Sequence, residues 1–409
     1  MVIENYDLCI ENPQLYVENP PFCIEPPPFC IENSPLCIEN PPPCIENFPL
    51  CIEKLPLGIE NHQSFLSQTR NANSLYITMK KHIAIIAGGD SSEHDVSLRS
   101  AAGILSFMDA EKYDCHIVEQ RGNAMHVLIE DQKIPMNLHD FSYIHQDERC
   151  TFDFAYITIH GTPGENGILQ GYFDLIGMPY STSGVLVEAL TFNKFALNNY
   201  LRSLPQLHVS DSLMVRRGME FPTAAEVVER VGLPCFIKPN AGGSSFGVTK
   251  VKTEAEVLSA IEKAMNESDE VMIERLLVGT EITCGCFRRK NGEVVTFPIT
   301  EVVVKGVEFF DYEAKYEGKS DEITPARIAP ETAERVSEMT KYIYRQLDCY
   351  GIIRIDYILS GEKGKEQINL LEINTTPGMT PASFIPQQVR ASQFEIADVL
   401  SEIIEGKFA

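Results

Sequence analysis

Apolar and polar positions along the chain fall into two regimes that change near residue 79. From His82 the pattern becomes that of a folded protein. Residues 82–87 form an apolar run closed by Gly88 and Gly89, which predicts a buried strand entering a turn. The stretch 93–108 has helical spacing, with Val96, Leu98, Ile104 and Leu105 apolar, and Ser92 with Asp95 predicts a capping box. A second strand is expected over 154–159, followed by His160, Gly161 and a glycine-rich turn, then a helix over 167–176. Strands alternating with helices predict a parallel sheet. Residues 184–201 read as one amphipathic helix, 235–238 as a strand ending in a lysine, and 271–274 as a strand leading into Arg275 and Leu277. Further strands are expected near 281–287, 294–304, 351–359 and 367–373, with a closing helix from about Ser392. The fold class is therefore α/β and α+β. The expected domains are 79–182, 183–278 and 279–409.

Residues 1–78 differ. A seven-residue unit close to Cys-Ile-Glu-Asn-Pro-Pro-Phe recurs, with Cys23, Cys30, Cys37, Cys44 and Cys51 in strict heptad spacing. Proline in nearly every unit forbids a continuous coiled-coil helix. A disulfide or metal-binding array is one reading of the repeat. The favoured one is a low-complexity extension, extended or disordered, or non-native, with the functional protein starting at Met79.

Composition narrows the function classes. A chain of 409 residues, 44% hydrophobic and 22% charged, suffices for two or three domains with buried cores. The formal net charge of −24 argues against a nucleic-acid partner and leaves nucleotide binding open, since that needs only local positive charge. No apolar run reaches the ~18 residues of a membrane span, and no secretory signal is recognisable, so a cytoplasmic location without membrane association is expected. The scattered cysteines beyond residue 78 are expected to be reduced, and Cys284 with Cys286 has no second pair to complete a metal site.

Two constellations carry candidate chemistry. The loop from Lys238 through Gly243, Ser244 and Ser245 to Gly247 could cradle phosphate with backbone N–H groups, hydroxyls and a lysine. It matches neither common phosphate-loop spacing, and an ordinary polar turn would read the same. The pairs Arg354, Asp356 and Glu372, Asn374 each lie two apart within a strand, so each pair shares a face. On adjacent strands they would offer hard oxygen ligands for Mg²⁺ and a guanidinium for a phosphoryl group. A solvated outer strand face is the alternative.

The ordered set Gly88-Gly89-x-Ser-x-Glu93, His160-Gly161, Lys238-Pro239, Gly243-Ser244-Ser245-x-Gly247, Tyr312-Glu313-Ala314-Lys315-Tyr316, Arg354-x-Asp356 and Glu372-x-Asn374-Thr-x-Pro-Gly378-Met-Thr resembles the D-alanine–D-alanine ligases of the ATP-grasp fold across essentially all of 79–409. The resemblance implies an ATP-grasp core behind an N-terminal substrate domain. ATP would meet Lys194, Lys238, Ser244, Ser245 and Lys315, with Glu274, the backbone from Arg275 to Leu277, and Glu281 at adenine and ribose. Asp356, Glu372 and Asn374 would hold two Mg²⁺ ions, with Mn²⁺ able to substitute. Glu93, with His160 nearby, would bind the ammonium of the first D-alanine, and Ser383 the carboxylate of the second. Arg354 would stabilise the transferred phosphoryl group, and Arg354 with the Gly378 N–H the oxyanion. Residues 305–323 would form a lid. Tyr316, able to bond Ser244 and Glu93, would favour a dipeptide over a D-lactate ester. The resemblance further implies a homodimer and a role in peptidoglycan precursor synthesis. Arg275 departs from the lysine common there, and its planar fork is no equivalent. Read singly, His160 could merely brace its turn, and Glu281 and Lys194 could be solvated surface residues. A D-alanine–D-lactate or D-alanine–D-serine ligase, or a non-catalytic nucleotide-binding relative, are the alternatives.

Overall fold

The computed structural model describes residues 80–243, 247–304 and 320–408. The N-terminal repeat, Ser244, Ser245, Lys315, Tyr316 and most of the expected lid lie outside the described residues.

The described chain builds three sheets. The first contains β1 (Lys81–Gly88), β2 (Tyr113–Arg121), β3 (Ala124–Ile129), β4 (Gln132–Asn137), β5 (Ser142–His145), β6 (Glu148–Thr151) and β7 (Phe154–Ile157), in the order β6-β5-β4-β3-β2-β1-β7. Only β1 pairs in parallel, with β2 and β7. From β2 to β6 the chain is an antiparallel meander. The two strands read from the sequence, β1 and β7, pair in parallel as expected, and the meander is the part that was not expected. The meander's outer strands expose alternate residues, so they carry no continuous apolar run that would mark them as buried strands.

Helix α1 (His94–Phe107) covers one face of this sheet. Two expectations fail here. Its N-cap is Glu93 rather than Ser92, with no side-chain cap bond; Ser91 Oγ accepts the Glu93 N–H instead. Its buried stripe is Ser97, Ser100, Ala101, Gly103 and Ile104, while Leu105 is 40% exposed. The small residues allow a close approach: a Cβ on Gly103 would stand 2.3 Å from the Met379 carbonyl oxygen. Helix α2 (Ile168–Ile176) starts after Gly167 in left-handed backbone. The expected strand over 154–159 ends at Ile157, two residues early.

The single helix expected over 184–201 is two, α3 (Val185–Phe192) and α4 (Lys194–Leu201). Asn193 breaks it: its backbone is extended and its side chain accepts the Ala196 N–H, capping α4. β8 (His208–Val209) follows α4. A four-stranded antiparallel sheet then comprises β9 (Ser212–Arg216), β10 (Cys235–Pro239), β11 (Thr249–Val251) and β12 (Glu270–Arg275), in the order β11-β10-β12-β9. Helices α5 (Ala224–Arg230) and α6 (Val257–Met265) close its core of Val227, Ile237, Ile261 and Ile273.

The third sheet, ordered β16-β15-β13-β17-β18-β8, takes β13 (Thr280–Arg288), β15 (Thr300–Val304), β16 (Ser320–Ile323), β17 (Ile353–Ser360) and β18 (Gln367–Asn374), with the short β14 (Val294–Thr296) beside β13. The strand expected over 294–304 is thus two, parted by Phe297, Pro298 and Ile299. Helix α7 (Pro330–Gln346) packs Val336, Ile343 and Tyr344 on this sheet. The expected closing helix is α9 (Ile396–Gly406), starting four residues after Ser392, and a short helix, α8 (Phe384–Arg390), precedes it. Ile83, Ile85 and Ile104 share one core with Phe287, Phe297, Met379 and Ile385, joining the first sheet to the third. Among the described residues no helix is long and apolar enough to cross a membrane. The six cysteines beyond residue 78 are free. Cys284 and Cys286 are buried in β13, and burial pushes the Cys284 thiol up to about 12.

Candidate active site

The antiparallel register of β17 and β18 builds the centre of the site. It sets Arg354 opposite Asn374 and Asp356 opposite Glu372. Residues two apart share a face, so all four side chains lie on one surface. The arrangement is dense. Arg354 Nε and Nη2 donate to Asp356 Oδ1 and Oδ2 at 2.9 and 2.8 Å, Asn374 Nδ2 donates to Oδ2 at 3.1 Å, and Thr283 Oγ1 on β13 donates to Oδ1. The Arg354 guanidinium lies 5.1 Å from the Phe384 ring centroid. Burial acts against its charge, but Asp356, Glu372 and Glu165 outweigh burial and raise its pKa above the ordinary arginine value.

The glycine-rich loop meets this centre through Lys194. Its Nζ stands 3.9 Å from Glu372 Oε2 and donates to the Gly242 carbonyl at 2.8 Å. Buried Asn240 fixes that geometry by accepting the Phe195 N–H at 2.9 Å and donating to Glu270 at 2.9 Å. Lys194 is therefore no ordinary surface lysine. Lys238 forms a 2.5 Å ion pair with buried Glu274, whose other oxygen accepts from Asn198 at 3.1 Å. Gly243 packs against the Glu93 carboxylate, which brings the start of α1 to the same loop.

On the other side, buried His160 lies 3.3 Å through Nε2 from Ser100 Oγ, which also accepts the Met379 N–H. Glu165 accepts the Gly161 N–H at 2.7 Å and the Thr376 N–H at 3.4 Å, and burial raises its pKa against the pull of His160. Gly378 adjoins Ser383: a Cβ there would stand 3.0 Å from Ser383 Oγ. Ser383 is the N-cap of α8 but makes no cap bond; its Oγ accepts the Thr380 N–H at 3.1 Å.

The Arg275 guanidinium is exposed and pairs with Asp211 at 3.3 Å, so its charge lies at the surface and the role expected of this stretch falls on its backbone. Leu277 and Glu281 are half-buried at the junction of β12 and β13. Reading the sequence missed Asn198, Thr283, Glu165, Glu188 and Glu322. Glu188 on α3 is fully buried, accepts from Thr375 Oγ1, and keeps Oε1 without a hydrogen-bond partner among the described residues.

The donor set suits a hard divalent cation. Asp356 and Glu372 bring carboxylates and Asn374 an amide oxygen on one face, and the carboxylates are matched by Arg354 and Lys194. Among the described residues no group of three or more His, Cys, Asp or Glu side chains is placed to hold a metal ion. Two carboxylates and one amide are few protein oxygens, which fits Mg²⁺, a cation that usually keeps several waters and phosphate oxygens.

Comparison with known proteins agrees. Residues 82–183 match the family model of the D-ala D-ala ligase N-terminus, and 206–405 that of the D-ala D-ala ligase C-terminus. Over 332 residues the chain is 61% identical to a D-alanine–D-alanine ligase of Phocaeicola vulgatus, spanning 81% of this chain and 100% of the relative. A D-alanine–D-alanine ligase of Porphyromonas gingivalis is 52% identical over 328 residues, 80% of this chain and 98% of the relative. Among solved structures, the VanG D-Ala:D-Ser ligase of Enterococcus faecalis superposes with a TM-score of 0.71 at 29% identity, covering 80% of this chain and all of that one. The D-alanine–D-alanine ligase of Bacillus anthracis complexed with ATP gives 0.62 at 25% identity, covering 80% and 97%. With both family models in chain order and relatives matched over nearly their whole length, the chain belongs to the D-alanine–D-alanine ligase family.

Proposed function

We propose that the chain joins two D-alanine molecules into D-alanyl-D-alanine, converting ATP to ADP and phosphate. The observation that carries this reading is the β17–β18 register, with Arg354, Asp356, Glu372 and Asn374 on one face and Lys194 linking that face to the glycine-rich loop.

A carboxylate resists attack by an amine, so it must first be activated. The γ-phosphoryl group passes to the carboxylate of the first D-alanine and forms an acyl phosphate. Positioning and charge neutralisation supply the catalysis. Lys194 and Lys238 hold the phosphates, Arg354 the transferred group, and Glu93 the ammonium of the first substrate. Glu274, the backbone from Arg275 to Leu277, and Glu281 serve adenine and ribose. Asp356, Glu372 and Asn374 would hold Mg²⁺, which when bound neutralises phosphate charge. The amine of the second D-alanine, placed by Ser383, attacks the carbonyl. Arg354 and the Gly378 N–H then meet the oxyanion, and phosphate leaves as the amide forms. Because an acyl phosphate hydrolyses in water, water must be kept out while it forms; the expected lid over 305–323 is assigned that part, although its last residues, 320–323, are held in β16 beside β15. The same proposal includes a cytoplasmic homodimer supplying peptidoglycan precursors.

The test incubates purified residues 79–409 with ATP, Mg²⁺ and D-alanine, with D-serine and D-lactate in parallel as second substrates. The expected product is the D-alanine dipeptide by mass. Preferential formation of the D-serine or D-lactate product would replace the substrate assignment, and no ATP-dependent product would overturn the ligase reading.

A further inference from the structure

Glu322 is a carboxylate that the mechanism above leaves unused. It sits on β16, opposite Val302 of β15. Its Oε2 accepts from Gln387 Nε2 at 2.5 Å, and Gln387 also donates to the Ala382 carbonyl at 2.6 Å. Gln387 lies four residues beyond Ser383 on α8, one turn along the same helix face. Glu322 is thereby tied beside the place assigned to the carboxylate of the second amino acid. In any α-amino acid the ammonium is separated from its own carboxylate by one carbon, so covalent geometry puts that ammonium in the same neighbourhood.

The charges point the same way. Among the described residues no lysine, arginine or histidine forms an ion pair with Glu322. Arg354 acts on it electrostatically, but its fork is committed to Asp356. Burial raises the Glu322 pKa further than Gln387 and Arg354 together lower it. A half-buried carboxylate with no cation of its own favours the arrival of one. The proposed reaction brings one to this place, the ammonium of the second substrate.

We infer that Glu322 is a catalytic and specificity-determining residue for the second substrate, receiving the α-ammonium of the incoming amino acid and accepting its proton. The inference rests on the proposed ligation. The step balances: one ammonium proton passes to the Glu322 carboxylate, the freed nitrogen lone pair forms the C–N bond, the carbonyl-to-phosphate C–O bond breaks with its electron pair leaving on phosphate, and the second proton lost from nitrogen goes to that phosphate. A hydroxyl nucleophile has no ammonium to offer and gains nothing from this carboxylate at the binding stage.

The experiment uses the full chain and its Glu322→Gln variant, which keeps an oxygen for Gln387 and removes only the charge. Two half-reactions are measured. Hydroxylamine traps the acyl phosphate as D-alanine hydroxamate, and dipeptide formation is followed against D-alanine and D-lactate as second substrates. The expected result is a KM for the second D-alanine raised tenfold or more, hydroxamate formation within about twofold of wild type, and a higher ratio of D-lactate ester to dipeptide. An unchanged dipeptide rate, or an equal loss in both half-reactions, would overturn the inference while leaving the ligase reading intact. A wild-type chain that forms neither hydroxamate nor dipeptide would overturn the ligase reading itself, and the inference with it.

Discussion

Gly243 lies so close to Glu93 that a Cβ on it would stand 2.4 Å from Glu93 Oε2. A loop assigned to ATP and a carboxylate assigned to the first amino acid therefore share one van der Waals surface, and the size of residue 243 sets where the carboxylate can sit. Gly243→Ala is expected to displace Glu93 rather than unfold the chain, because the neighbour that must move is the end of a flexible side chain. The KM for the first D-alanine should rise about tenfold, equivalent to ~1.4 kcal/mol, with little change in melting temperature. Steady-state kinetics with thermal melting checks both.

The Lys238–Glu274 pair has side chains only 12% and 4% exposed. Removing one partner of a buried pair leaves the other uncompensated. Lys238→Met is expected to destabilise the fold by about 3 to 5 kcal/mol, read by urea denaturation. Lys238→Met combined with Glu274→Leu should recover part of that loss, although ATP turnover should stay low in both.

Glu188 has a pKa raised well above the ordinary carboxylate value, first by burial and further by Glu165, against hydrogen bonds from Thr375 and Ser183. A group whose folded pKa is raised stabilises the fold most below its unfolded value. Its contribution is lost as pH rises from about 4.5 through the folded value. Glu188→Gln has no charge to bury. Its stability relative to wild type is therefore expected to improve steadily from pH 5 to pH 8. Melting curves of both proteins across that range test this, and a difference independent of pH would contradict it.

Tyr316 lies outside the described residues, and its role remains the one its motif implies. Tyr316→Phe is expected to increase D-lactate ester formation relative to dipeptide. If D-lactate stays unused by the variant, the assignment of nucleophile choice to Tyr316 is wrong.

The centre of the site was legible because strand periodicity alone puts Arg354 with Asp356 and Glu372 with Asn374 on one face, and the observed register aligns them. The break at Asn193 was not, since residues 184–201 keep an amphipathic spacing across it and only the Asn193 cap bond reveals the second helix. The meander over 113–151 escaped because its outer strands are half-exposed and lack an apolar run. Glu165, Glu188 and Glu322 could not be found at all. A carboxylate's burial and its distance from Arg354 or Thr375 are properties of the packed chain, and nothing in the local sequence distinguishes these three from solvated acids. Arg275 is similar: the nucleotide contact expected there is a backbone one, and nothing local in the sequence shows that Asp211, more than sixty residues away in the chain, holds the guanidinium at the surface.

The central claim is that Asp356, Glu372 and Asn374 gather the metal that accompanies the nucleotide. A crystal structure of the chain with ADP and Mn²⁺, with manganese located by anomalous scattering, tests it most directly. The account expects manganese about 2 Å from oxygens of Asp356 and Glu372 and bridged to the nucleotide phosphates. Nucleotide bound with manganese elsewhere, or with none at these oxygens, would contradict it.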